Sequence, residues 1–434
     1  MQILKRIFKK KKSLWKDVNY EKYQGHVFIS SNDSTTKSEE IDNNRIVYIE
    51  DIEKRKEIYG ICGECNEPGT GEYWCQPCNA KRFKKNFKNW TSGNKDIDDL
   101  IQHSQINAVH YKNCFEWIPY ENFQNVNYIT KGSFAKIYLA DWPEVQDFLN
   151  EAKSHLQIYL WDIIQCFGIT QDPNTKNYMM VLYYCKDGNL RNNYLNDPEN
   201  DMKLYHLLRI ANGLLDIHNA GKVHKDFHLG NILYDGSTYI SDLGMCQSAN
   251  DEMQPIKNEG VYGVLPYIAP EVLRGYQCTK AADIYSFGIM MNEYLSEEIP
   301  FIDIPHDHVL AVKICKGLRP KIPEDVPKFL ADLTMICCDA KAEDRPTAKE
   351  LYQLLYKWNN IEYEDNEIYS QMKKYEKIRE NKLKNRSSKN KPKNIVYHPQ
   401  AIYSSRLLNF KNLPEPENSS DLSTYQLNSG DCLI

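Results

Sequence analysis

Apolar positions are spread unevenly along the 434 residues. From Glu116 to Trp358 they are dense and regularly punctuated by Gly and Pro, as in a chain that builds one continuous core. Within that stretch Leu204, Leu207, Leu208, Ala211, Leu214 and Leu215 recur at the spacing of a buried helix face, and Tyr178–Leu182 reads as a buried strand. Ahead of it, residues 49–60 have the composition of a short helix closed by Gly60. Asn94 is placed to cap a helix carrying Ile97, Leu100 and Ile101. Residues 1–48 are polar and charged, and after Trp358 the pattern fades into a Lys/Glu-rich helical stretch and a tail without a core. The expected organisation is a disordered basic and polar start (1–48), a small cysteine-bearing module (59–90), a main domain (116–358), and a charged helix with a disordered tail (359–434).

Composition narrows the class. Apolar residues at 41% and charged residues at 26% exclude a wholly disordered or collagen-like chain. No run of 18 apolar residues suggests a membrane span, and the basic start lacks the apolar core of a secretory signal. A cytoplasmic protein is expected, with the nucleus as the second compartment. The net charge of −5 conceals basic ends on an acidic body: residues 1–12 carry six Lys/Arg and no acid, and residues 371–393 carry ten Lys/Arg against two Glu. Such ends read as solvated tails rather than as a nucleic-acid surface.

Four of the 13 cysteines fall in one window, as Cys62-Gly-Glu-Cys65, nine residues, then Cys75-Gln-Pro-Cys78. Two such pairs chelate a tetrahedral metal from two sides, and four thiolates favour structural zinc, with Gly63, Gly69 and Gly71 supplying tight turns. The other nine read as reduced, mostly buried thiols. In the basic segment that follows, Phe83, Phe87 and Trp90 recur at i, i+4, i+7, the packed face of a helix, so nucleic acid is not the expected partner.

The main domain carries a motif series. His224-Lys225-Asp226-Phe227-His228-Leu229-Gly230-Asn231 is followed by Asp242-Leu243-Gly244, Tyr267-Ile268-Ala269-Pro270-Glu271, Asp283-Ile284-Tyr285-Ser286-Phe287-Gly288 and Arg345-Pro346. In order and spacing this resembles the eukaryotic protein kinases, most closely the tyrosine-kinase-like group. With the cysteine module and tail it is similar to the kinase-like proteins expanded in mycorrhizal fungi. The resemblance covers residues from about 60 to 415 and is strongest from 178 to 358. It implies an α+β, bilobal protein-kinase fold with a small β-rich upper lobe and a larger helical lower lobe. It also implies transfer of the ATP γ-phosphate to Ser or Thr, less often Tyr, of protein substrates in signalling. Asp226 would take the acceptor's proton, Asn231 and Asp242 would hold Mg²⁺ against the phosphates, and Tyr184 and Cys185 would lie at the adenine hinge. Gly132, Ser133, Lys136 and Glu151 would complete the ATP site, and Glu271 would pair with Arg345.

The chain departs from the family pattern in three places. Of the glycine-rich loop only Gly132 remains, in Thr130-Lys131-Gly132-Ser133-Phe134-Ala135. No V-A-I-K strand follows: Glu151, the expected ion-pair partner, comes 19 residues after Gly132, where roughly 35 are usual. Three readings stand: a pseudokinase serving as a binding scaffold, a kinase recruiting Lys136 or Lys153, or a chain lacking an internal segment. The retention of the lower-lobe residues favours the last. Finally, His228 stands where Ser/Thr kinases place Lys and reads as an exposed spectator, Val264 replaces the usual Thr, and Lys225 the usual Arg. In the activation segment, Ser248 and Tyr262 are the candidate phosphorylation sites.

Overall fold

The computed structural model describes residues 15, 27–29, 46–71, 73–123, 130–131, 136–137, 155, 162–196, 202–249, 260–361, 367–388 and 398–419. The chain divides into two compact units, Met1–Tyr184 and Cys185–Ile434.

In the first unit β1 (Val27–Ile29) pairs in parallel with β2 (Ile46–Tyr48), inside the stretch expected to lack structure. The helix α1 (Ile52–Tyr59) follows, capped by Asp51 and closed at Gly60, whose φ of 68° suits a residue without Cβ. The helix α2 (Gln76–Asn86) packs on α3 (Lys95–Asn107). Asn94 caps α3 as its sequence predicts, its side chain accepting from the Asp96 and Ile97 amides. The strand β3 (Glu116–Trp117) is next, then the short hairpin β4 (Thr130–Lys131) with β5 (Lys136–Ile137), which pairs Lys131 with Lys136. A three-stranded sheet has the order β3, β6 (Cys166–Gln171), β7 (Tyr178–Leu182). Ile97, Ile101, Phe115, Cys166 and Ile169 form the core between α3 and that sheet.

The second unit is mostly helical. Its elements begin with α4 (Leu190–Asn196), α5 (Lys203–Asn219) and β8 (Lys222–Val223). The hairpin β9 (Ile232–Tyr234) with β10 (Thr238–Ile240) comes next, then β11 (Gln247–Ser248), which pairs with β8, and β12 (Val261–Gly263). The helices α6 (Pro270–Leu273), α7 (Lys280–Ser296), α8 (His308–Cys315), α9 (Lys328–Cys337) and α10 (Ala348–Asn359) complete the body. The centre is α7: Ile284, Tyr285, Phe287, Ile289, Met290, Met291 and Tyr294 are buried around its whole circumference, so it runs through the core rather than over it. Leu204, Leu207, Leu208, Ala211 and Leu214 of α5 are buried as their spacing predicts, and Leu215 is half-buried.

The charged helix α11 (Glu367–Ser388) forms where its composition predicts. The end of the chain differs from expectation. Residues 398–419 are seated on the helical unit, and β13 (Arg406–Leu408) pairs antiparallel with β12. A tail with few apolar residues needs no core of its own when its backbone completes another strand's hydrogen bonds. The expected bipartite α+β character is thus present, with the helical part in residues 185–434.

Candidate active site

The site of the second unit is built on the loop between β8 and β9. The helix α5 delivers that loop, and Asp283, in the first turn of α7, holds it. Asp283 is 1% exposed. Its Oδ2 accepts from the His224 amide at 2.7 Å and from His218 Nε2 at 3.0 Å, and its Oδ1 accepts from the Lys225 amide at 3.0 Å. Backbone and side-chain donors therefore share one buried carboxylate, which fixes the loop to the core helix. Lys225 takes the left-handed conformation at φ 71°, a turn that the two amide bonds to Asp283 sustain. Phe227 is buried and stacks on Phe287 of α7, with ring centroids 6.2 Å apart, so the residue after Asp226 is a core anchor.

Asp226 is 4% exposed. Asn231 closes the loop over it: its Nδ2 donates to the Asp226 carbonyl at 2.9 Å and to Oδ2 at 3.3 Å. Asp242 lies beside them in left-handed backbone at φ 59°, on the segment that Ser241 ties to Asn231 by two bonds of 2.8 Å. Burial pushes the Asp226 carboxyl up, but His228, then Ser405 and His224, outweigh it and hold it below the ordinary carboxylate range. Asp242 goes the other way, raised by burial and by the charge of Asp226. Among the described residues no Lys or Arg pairs with either carboxylate. The half-buried Asp242 carboxylate and the Asn231 amide oxygen are hard oxygen donors that suit Mg²⁺.

The helical end of the site is braced by a buried ion pair. Arg345 Nη1 and Nη2 meet Glu271 Oε1 and Oε2 at 2.7 and 2.8 Å, while Arg345 Nε donates to the Asp339 carbonyl at 2.8 Å.

His228 corrects an expectation. It is 6% exposed rather than a surface spectator, with Nε2 3.6 Å from Asp226 Oδ1 and its ring against Tyr267. Sequence alone could not show this, because Tyr267, which packs on the ring, lies 39 residues further along the chain. Val264 is buried, Ser248 is exposed, and Tyr262 is half-buried in β12, where its hydroxyl donates to the Ser405 carbonyl at 2.9 Å. Ser405 was not legible as a site residue, yet its Oγ donates to Asp226 Oδ2 at 2.5 Å. No periodicity or motif marks it, and it lies 179 residues from its partner.

The residues expected around ATP are only partly described. Gly132, Ser133 and Glu151 lie outside the described residues. Lys136 is placed by its backbone in β5, opposite Lys131. Tyr184 is 64% exposed at the end of the first unit, and Cys185, which opens the second, is buried, its thiol pushed up to about 11 by burial and the nearby Asp235 and Asp187.

The first unit brings Cys62, Cys65, Cys75 and Cys78 together, with all four Sγ atoms within 4.8 Å of one another. A tetrahedral site with metal–sulfur bonds of about 2.3 Å puts sulfurs roughly 3.8 Å apart, and Cys65 Sγ and Cys75 Sγ are 3.5 Å apart. Arg55 ties the loop down by donating to the carbonyls of Ile49, Pro68 and Gly69. Gly71 is required by close approach: an added Cβ would stand 2.7 Å from His110 Cδ2 and 3.0 Å from the Val109 carbonyl. Trp74 is fully buried, with Nε1 donating to the Ala108 carbonyl at 2.7 Å, and it clusters with Phe83 and Cys114. The module's core therefore reaches past the expected limit of residue 90. Phe83 is buried and Phe87 stands edge-on to Trp90, in keeping with a packed aromatic face.

Comparison with known proteins agrees with the site. The family described as protein tyrosine and serine/threonine kinase matches residues 136–355. Among similar proteins, tyrosine-protein kinase SPK-1 of Girardia tigrina is 26% identical, the match covering 55% of this chain and 53% of the relative. Dual specificity protein kinase shkA of Dictyostelium discoideum is 30% identical over 48% of this chain and 41% of the relative. Mitogen-activated protein kinase kinase kinase nsy-1 of Caenorhabditis elegans is 30% identical over 50% of this chain and 15% of the relative. The chain thus spans about half the length of the first of these relatives and less of the others. Among the described residues no helix is long and apolar enough to cross a membrane. The family match over half of the chain, which includes the clamped loop that carries Asp226 and Asn231 and the segment after β10 that carries Asp242, shows that this chain belongs to the protein tyrosine and serine/threonine kinases.

Proposed function

We propose that this chain transfers the γ-phosphate of ATP to Ser or Thr hydroxyls of protein substrates in intracellular signalling. The observation that carries this reading is the buried Asp226 carboxylate, held ionised beside Asn231 and Asp242 on a loop locked to α7. Asn231 and Asp242 would hold Mg²⁺, which neutralises the phosphate charge when bound. Asp226 accepts the acceptor hydroxyl's proton, and Asn231 keeps its carboxylate aimed. Phosphoryl transfer asks for positioning and charge more than for covalent help, and the clamp by Asp283 serves the positioning. Lys136, carried on β5, is the candidate for the phosphate-facing lysine. The dual specificity and kinase kinase kinase names of two relatives support hydroxyl transfer to protein. The test is incubation of the full chain with Mg²⁺ and γ-labelled ATP, with casein as a general acceptor. Label in the chain or in casein as phosphoserine or phosphothreonine is the expected result. A chain that binds Mg-ATP and labels nothing is instead a pseudokinase scaffold, the alternative that the missing V-A-I-K segment favours.

We further propose that Cys62, Cys65, Cys75 and Cys78 hold structural zinc. The close approach of the four thiols supports it, since a tetrahedral metal gathers four sulfurs at about this spacing. Purified chain is expected to contain one zinc, and Cys75→Ser to lose it. The variant should exchange the amide hydrogens of residues 61–78 faster while melting of the helical unit stays unchanged. Metal-free wild type on elemental analysis overturns this reading.

A further inference from the structure

We propose that residues 398–411 occupy the protein-substrate groove of this chain's own kinase domain, and that Ser405 is an intramolecular phosphate acceptor whose modification releases the tail. The inference rests on the kinase reading above and names the substrate of that same site.

The tail is seated by many contacts along one line. The His398 amide donates to the Ile302 carbonyl at 3.0 Å and the His306 amide to the Gln400 carbonyl at 3.0 Å. The ring nitrogens of His306 lie within reach of the Ile402 carbonyl (3.0 Å) and the Phe301 carbonyl (3.2 Å), and Arg406 Nη2 donates to the His306 carbonyl at 2.8 Å. Tyr403 donates its hydroxyl to the Pro300 carbonyl at 2.5 Å, with the Arg191 guanidinium 5.4 Å from its ring centroid. Next, β13 lies antiparallel to β12 in the register Gly263 to Arg406, Tyr262 to Leu407 and Val261 to Leu408. The approach is close enough to demand glycine: a Cβ on Gly260, at φ 75°, would meet the Leu408 carbonyl at 2.8 Å. Leu408 is buried and Leu407 points to solvent, the alternation of a strand added to an edge.

This seating delivers one hydroxyl to one base. Ser405 is 7% exposed, its Oγ donates to Asp226 Oδ2 at 2.5 Å, and its carbonyl is held by the Tyr262 hydroxyl at 2.9 Å. A tail that served only to cover the groove would not need a hydroxyl on that carboxylate. The step balances with a nucleoside triphosphate as co-reactant. The bond between the γ-phosphorus and its bridging oxygen breaks, and the nucleoside diphosphate leaves with that electron pair. A bond from Ser405 Oγ to phosphorus forms, and the hydroxyl proton passes to Asp226 Oδ2. The product no longer fits. A phosphate of charge about −1.5 to −2 would then lie in a nearly closed space against Asp226 and Asp242. Like-charge repulsion expels it, β13 leaves β12, and the groove opens to other proteins.

The test follows phosphate on the full chain over roughly a hundredfold range of protein concentration, because an intramolecular step does not depend on concentration. Expected are phosphate on Ser405, a first-order rate unchanged by dilution, and loss of amide protection at residues 261–263 as the phosphate appears. Ser405→Ala should keep that protection and label casein slowly. Leu408→Asp, which unseats β13 without touching Asp226, should lack the protection and label casein from the outset. Phosphate elsewhere than Ser405, a rate that falls on dilution, or equal casein labelling by the two variants overturns the inference. If Leu408→Asp labels casein while wild-type Ser405 stays unmodified, the inference fails and the kinase reading stands. If no form labels any acceptor, the kinase reading fails and takes the acceptor assignment with it.

Discussion

Replacing Asp226 with Asn is expected to lower phosphoryl transfer on the order of a thousandfold, the middle of the range that a positioned general base supplies. The substitution is nearly isosteric. Asn at this position still meets Asn231 and the Ser405 hydroxyl, and the clamp by Asp283 acts on neighbouring residues, so the loop keeps its shape. What is lost is the charge that takes the proton. Because Asp226 is held below the ordinary carboxylate range, it is ionised throughout the neutral region, and the defect should not be relieved by raising the pH. A fall in kcat with unchanged affinity for Mg-ATP and an unchanged thermal midpoint is the expected pattern. Retention of more than a tenth of wild-type transfer would remove Asp226 from the reaction.

Removing Glu271 is expected to be the most destabilising single truncation at the brace of the helical unit. The Arg345 side chain is fully buried and the Glu271 side chain is 6% exposed. Glu271→Ala leaves a buried guanidinium without its two carboxylate bonds, a loss of about 3–5 kcal/mol. Set against a total stability of roughly 5–15 kcal/mol for a domain, that is enough to unfold a substantial fraction at physiological temperature. The contrast with a surface pair decides the ranking. Lys328 and Asp332 are also in contact, but their side chains are 79% and 55% exposed, and such pairs contribute about 0–1 kcal/mol. Arg345 also binds the carbonyls of Asp339 and Ala281, so its displacement loosens the start of α7 and the turn before α10 together. The double variant Glu271→Ala/Arg345→Met should recover part of the loss, since it removes the stranded charge. A single variant that melts within a degree of wild type would show that the pair does not brace this unit.

Much of the molecule is legible in local sequence because local sequence is what acts there. The helix cap at Asn94, the Gly60 terminus and the apolar face of α5 each depend on residues a few positions apart. The motif residues Asp226, Asn231 and Asp242 stand on a tight loop and a hairpin, so their spacing along the chain nearly dictates their spacing in space. The paired cysteines are legible for the same reason, each pair being one short turn. The limit of the cysteine module was not, because Trp74 finds Ala108 through the packing of α2 on α3.

The sequence by itself determined the kinase family and the buried face of α5, since these follow from short-range spacing and from burial of apolar faces. Only the tertiary structure decided what stands against the Asp226 carboxylate. Ser405 reaches Asp226 because β13 borrows the backbone hydrogen bonds of β12, and backbone pairing is nearly blind to side-chain identity. A polar tail with no periodicity therefore carried no mark of its seat, and His228 carried no mark of its burial against Tyr267.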